Sequence, residues 1–131
     1  MEIVDKRNYW GLECLVNLSG CSIKQISNKN VLKLFIKELC EHIEMKRVGN
    51  IHIKRFGSGN LYGYSVAQFI ETSSIVAHFS ESDGDAYIDI FSCKNFNPYS
   101  ASYFCKNFFN AKDVQFKVVI RDAKIANWGE H

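Results

Sequence analysis

The chain contains one proline in 131 residues, which excludes a Pro-rich linker and leaves few rigid loops. It lacks paired cysteines. Cys14, Cys21, Cys40, Cys93 and Cys105 are odd in number, and no two form a C-x-x-C. That excludes a disulfide framework and a short-spaced structural zinc site, so reduced thiols in a cytoplasmic protein are expected, with no metal. An excess of one charge is missing too. Sixteen Lys and Arg against fourteen Asp and Glu leave a net +2, and a nucleic-acid binder would carry a basic stripe. No apolar run approaches the length of a membrane span, and the polar segment Met1–Tyr9 is unlike a signal peptide. What is present is 47% hydrophobic and 23% charged residues, the balance of a globular core. One domain over residues 1–131 is the expectation.

Alternation and periodicity place the elements. Trp10–Leu18 (WGLECLVNL) reads as a strand, followed by a polar loop from Ser19 to Asn28. Ser27 or Asn28 caps a helix whose apolar face is Val31, Leu32, Leu34, Phe35, Leu39, Cys40 and Ile43. Gly49-Asn50 reads as the turn after it. Strands follow at Ile51–Phe56, Tyr64–Ile70, Ser74–Phe79 and Ala86–Cys93. Pro98 opens a second helix carrying Ala101, Phe104, Cys105, Phe108 and Phe109. Val114–Ile120 is a last strand, and the tail to His131 is expected to fray. The order β-α-β-β-β-β-α-β predicts an α+β fold: a two-layer sandwich with an antiparallel-rich sheet and two helices on one face.

Generic motifs carry little. Gly57-Ser58-Gly59-Asn60 lacks the Lys-Ser/Thr ending of a phosphate loop. Glu81–Asp85 lacks the distant glutamate of a calcium loop. The dense region is Gly63–Cys93, where Ser73, His78 and Cys93 interrupt apolar strands. Reactive side chains in such positions mark a candidate site.

The same region resembles the small bacterial and archaeal S-adenosylmethionine decarboxylases, which read roughly G-x-S/T, then E-S-H-x-x-x-H-T-W-P-E, then D-V-F-T-C-G. Gly63-Tyr64-Ser65, Ser73 with His78, and Asp89-Ile90-Phe91-Ser92-Cys93 match these elements without a gap. Trp10–Cys21 is similar to the family's opening strand. Departures are specific. Thr72 stands where the family has Glu, with Glu71 one residue earlier, and Ser74 stands where it has His. Phe79-Ser80-Glu81-Ser82 replaces T-W-P-E. A second register makes Thr72 the nucleophile but places Ala77 where the histidine belongs.

The resemblance implies a proenzyme that cuts itself between Thr72 and Ser73, giving chains 1–72 and 73–131. Ser73 becomes a pyruvoyl group that forms a Schiff base with the substrate amine. By the same resemblance Ser65 assists the developing oxyanion, His78 removes the Ser73 α-proton, and Cys93 protonates the substrate carbon. The implied substrate is S-adenosylmethionine, decarboxylated for spermidine synthesis, with Phe56 and Phe79 as aromatic contacts and Glu81 on a ribose hydroxyl. Ornithine or arginine is the alternative substrate. An unprocessed paralogue that binds S-adenosylmethionine is the alternative of another class. The implied assembly is a homodimer with its sites near the subunit interface.

Overall fold

The computed structural model describes residues 9–71 and 73–125. Thr72 and, of the tail expected to fray, residues 126–131 lie outside the described residues. Six strands are β1 Gly11–Ser19, β2 Arg47–Phe56, β3 Gly63–Ile70, β4 Ser73–Ser80, β5 Asp85–Ser92 and β6 Asp113–Arg121. Three helices are α1 Ile23–Ile26, α2 Lys29–His42 and α3 Pro98–Phe108. The strands form one antiparallel sheet in the order β2-β3-β4-β5-β1-β6. None of the described helices is long and apolar enough to cross a membrane.

Alternation builds the core. Cys14, Val16 and Leu18 of β1, Ile75, Ala77 and Phe79 of β4, and Ile88 and Ile90 of β5 are all buried. Successive strand residues face opposite sides, so these define the face covered by the helices. Helix α2 docks through Leu32, Phe35, Ile36, Leu39 and Cys40, and Asn28 caps it by accepting from the N–H groups of Asn30 and Val31. Leu34, expected on the apolar face, is exposed, and Ile36 takes that role. Helix α3 begins at Pro98, is capped by Asn97, and buries Ala101, Ser102, Cys105 and the flanking Phe109. Phe104, Phe108 and Phe109 gather around Phe35, with centroids 6.5, 5.2 and 4.6 Å away.

Two sequence expectations need correction. The loop from Ser19 to Asn28 contains α1, capped by Ser22, so the helices number three. Gly49-Asn50 is not a turn but lies inside β2, where the β2–β3 register slips between Val48 and His52. Four steps along β2 there face two along β3, so the irregularity adds two residues without ending the strand, and Gly49 takes a positive φ of 78°. Buried Gln68 pins it by donating from Nε2 to the carbonyls of Val48 and Gly49 at 3.1 and 3.2 Å. The chain reverses earlier, at Glu44 (φ 57°).

Candidate active site

The face of the sheet away from the helices carries the polar residues singled out in the sequence. Reading across the strands, one row is Lys54, Ser65, His78, Tyr87 and Asn17. Within it Ser65 Oγ and His78 Nδ1 are 2.7 Å apart, a cross-strand pair fixed by the β3–β4 register. Gly63 sets that register closely. A Cβ there would meet the Phe79 carbonyl oxygen at 1.9 Å.

Ser73 and Cys93 meet at the other end of the same strands. Ser73 is the first residue of β4 and is buried on the helix side. Its Oγ accepts from the Cys93 backbone N–H at 3.1 Å. Gly11 packs against this corner, since a Cβ there would lie 2.9 Å from the Ser92 carbonyl oxygen and 3.5 Å from the Cys93 Cα. Cys93 is half-buried, whereas Cys14, Cys21, Cys40 and Cys105 are buried free thiols. Burial pushes Cys21 and Cys40 up to about 11 and raises Cys14 and Cys105 as well. Those four are held as thiols and act as core residues.

The expected set therefore forms two pairs. His78 is five positions along β4 from Ser73, about 16 Å at roughly 3.3 Å per residue. Within one chain His78 does not reach the Ser73 α-proton. Phe56 opposes Gly63 and is 54% exposed, so it accompanies Ser65 and His78. Phe79 points the other way, 4% exposed, with its ring 5.3 Å from Phe109. Glu81 also turns from the open face. Arg55 donates to its two carboxylate oxygens at 2.8 and 2.5 Å and stacks over Tyr62 and Tyr64.

Four residues near the Ser73–Cys93 corner were not singled out as site residues in the sequence: Trp10, Glu13, Asp89 and Arg121. Arg121 donates to Glu13 at 2.5 Å, and its guanidinium lies 5.0 Å from the Phe91 ring centroid. Asp89 sits beside Glu13, with Oδ1 buried and unpaired among the described residues. Burial first, then a hydrogen bond with Glu13 and its charge, push Asp89 up to about 7, against the pull of Arg121. The signal was available in outline, because the parity that exposes Tyr87 also places Asp89 and Phe91 on the open face. No group of three or more His, Cys, Asp and Glu among the described residues is placed to hold a metal.

Comparison with known proteins finds relatives over most of the chain. The S-adenosylmethionine decarboxylase family profile matches residues 12–122. The S-adenosylmethionine decarboxylase proenzyme of Clostridium botulinum strain Hall is 30% identical over 114 residues, spanning 86% of this chain and 95% of that one. The same-named protein of strain Langeland is 29% identical over the same spans. In three dimensions the chain superposes on the adenosylmethionine decarboxylase of Aquifex aeolicus VF5 with a TM-score of 0.76, at 18% identity, covering 92% of this chain and 99% of that one.

Proposed function

Because the chain belongs to the S-adenosylmethionine decarboxylase family, a family of carboxy-lyases, we propose that it is the proenzyme of a pyruvoyl-dependent decarboxylase of S-adenosylmethionine that feeds spermidine synthesis. The observation that carries this reading is the pairing of the four expected residues: Ser65 with His78 at one end of β3 and β4, and Ser73 with Cys93 at the other.

The separation of the pairs supports a homodimer. A second copy can stack on the open face about a two-fold axis that runs across the strands. One chain's Ser65–His78 end then lies over the other's Ser73–Cys93 end, and two complete sites form. The open face offers apolar surface for this, including Phe69, 64% exposed, Leu15 and Tyr87.

Ser73 suits self-cleavage. It begins a strand, so a new chain end there interrupts no ladder, and its Oγ is already held by the Cys93 N–H. Attack of Oγ on the Thr72 carbonyl carbon breaks the peptide C–N bond and forms an ester, freeing the Ser73 amine. The partner's His78 removes the Ser73 α-proton. The Cβ–O bond then breaks, and Thr72 leaves as a carboxylate. Water replaces the nitrogen, ammonia departs, and a ketone remains. The pyruvoyl group made this way supplies the electron-accepting carbonyl for loss of CO2. Ser65 fixes the His78 ring through Nδ1, which leaves Nε2 for the facing site. Cys93, at the same strand end as Ser73, holds the proton for the substrate α-carbon. Glu81 favours S-adenosylmethionine over ornithine or arginine, because its carboxylate is taken by Arg55 and does not await a substrate cation.

The test is the intact mass of the denatured, reduced protein, followed by CO2 release from S-adenosylmethionine, ornithine and arginine side by side. The expected result is two fragments divided between Thr72 and Ser73, the second beginning with a pyruvoyl group, with CO2 from S-adenosylmethionine alone. An uncut chain of 131 residues overturns the reading.

A further inference from the structure

Strand β5 ends at Ser92, so Cys93 stands just beyond the ladder, where other groups must hold its main chain. The Ser92 side chain is 0% exposed, on the helix side of the sheet. The register that sets Ser74 opposite Phe91 brings Ser73 opposite Ser92 one step on. At such a depth a hydroxyl is costly unless it is bonded. The two shortest bonds of this one go to Lys94. Ser92 Oγ donates to the Lys94 carbonyl at 2.8 Å and accepts from the Lys94 N–H at 2.9 Å. Met45 Sδ lies 3.3 Å from the same oxygen and is the weaker acceptor for its single proton. Lys94 is also tied at its far end, where Nζ donates to the Glu44 carbonyl at 2.9 Å. Cys93 is thereby gripped on both sides. Ser73 Oγ holds the peptide before it, through the Cys93 N–H. Ser92 Oγ holds the peptide after it, through the Lys94 N–H.

Resting on the proposed decarboxylase reading, we propose that Ser92 is a positioning residue for Cys93: by holding both the N–H and the carbonyl of Lys94, its buried hydroxyl sets the Cys93 main chain and keeps the thiol at the Ser73 corner. The two stages of the chemistry call on this hold unequally. During self-cleavage Cys93 is also tied to Ser73 Oγ. Once the Cβ–O bond breaks, that oxygen departs on the Thr72 carboxylate, and the Cys93 N–H loses this partner. The bonds between Ser92 and Lys94 remain. Proton delivery from the Cys93 thiol to the substrate α-carbon therefore depends on Ser92 more than the cut does. A proton donor works only within hydrogen-bond reach of its target, and a displacement of about 1 Å can slow a reaction by roughly 10²-fold. The effect falls on kcat rather than KM, because Ser92 is buried on the helix side and acts only through Cys93.

The test uses the whole protein with Ser92→Ala and Ser92→Thr, the second of which keeps the hydroxyl. Self-cleavage is timed by intact mass, and turnover of S-adenosylmethionine gives kcat and KM. Alkylation by iodoacetamide, mapped to Cys93 by peptide mass, reports the thiol itself. Ser92→Ala should lower kcat about ten-fold with KM within about two-fold. It should slow self-cleavage by less than about three-fold and speed Cys93 alkylation by about three-fold or more, as a loosened chain end would. Ser92→Thr should stay within about two-fold of the wild type in all of these. Amide exchange in the unaltered protein needs no variant to fold: the Lys94 N–H should exchange as slowly as the ladder amides of β5, and fast exchange overturns the proposal. So does an unchanged kcat and alkylation rate in Ser92→Ala, a loss confined to KM, or an equal loss in Ser92→Thr. In each of these cases a wild type that cuts itself and releases CO2 leaves the decarboxylase reading intact. A wild type that stays uncut overturns that reading instead, while faster Cys93 alkylation in Ser92→Ala upholds the grip of Ser92 on Cys93.

Discussion

Ser73 and His78 share strand β4, yet their side chains face opposite sides of the sheet and lie about 16 Å apart along it. An odd separation on a strand reverses the face, so no rotamer change joins them within one protomer. Two chains are needed wherever both act on one substrate.

Mixing two dead variants tests this directly. Cys93→Ala and His78→Ala dimers, each inactive alone, should regain up to about a quarter of wild-type activity when denatured together and refolded, because one site in each mixed dimer keeps both residues. No recovery, with mixed dimers verified by native mass spectrometry, would exclude shared sites.

Phe79 and Phe56 should separate stability from activity. Phe79→Ala empties a buried site against Phe109 and is expected to cost about 3–5 kcal/mol in urea unfolding. Phe56→Ala removes an exposed ring, should change stability by less than about 0.5 kcal/mol, and should act on turnover. Equal losses of stability in the two would contradict the placement of their rings.

The Gly63 position predicts strain. Gly63→Ala drives a Cβ into the Phe79 carbonyl oxygen and should cost about 2–4 kcal/mol, seen as a lower Tm. Displacement of β3 from β4 should also loosen the Ser65–His78 contact, so His78 chemical shifts should move as well. An unperturbed Tm would show that the strands tolerate the side chain.

The folded chain holds a proton on Asp89 that the unfolded chain gives up at a lower pH. With the folded value raised to about 7, the favourable contribution is complete below the unfolded value of about 3.9. It is lost as pH rises through about 7. Asp89→Asn mimics the protonated acid. It should therefore stabilise the protein at pH 8 by about 1 kcal/mol, after allowance for solvent screening at a half-buried site. The difference should fade toward pH 5. A constant difference in Tm between pH 5 and 8 would place the titration elsewhere.

Periodicity made α2 legible, because burial at Leu32, Phe35, Leu39 and Cys40 follows the helical repeat. It misassigned Leu34 because a stripe has edges that only the neighbouring elements decide. Gly49-Asn50 reads locally as a turn, but Gln68, bonded to the carbonyls of Val48 and Gly49 twenty and nineteen positions away in sequence, holds the segment within a strand. The motif spacing singled out Ser65, Ser73, His78 and Cys93, of which the structure has the first three in β3 and β4 and Cys93 just after β5. It did not reveal two separate pairs, since spacing along a chain says nothing about which residues a second chain brings.

If the chain is cut as proposed, the strand order has a consequence. A cut before Ser73 leaves β1, β2 and β3 on one piece and β4, β5 and β6 on the other. In the sheet β4 and β5 lie between β3 and β1, while β1 lies between β5 and β6. The pieces are interlaced like the fingers of two hands, and parting them breaks three ladders at once. The proposed cleavage would thus turn a unimolecular folding problem into an assembly problem. The mature protein should melt at a temperature that rises with its concentration, and once unravelled it would have to find its other half again.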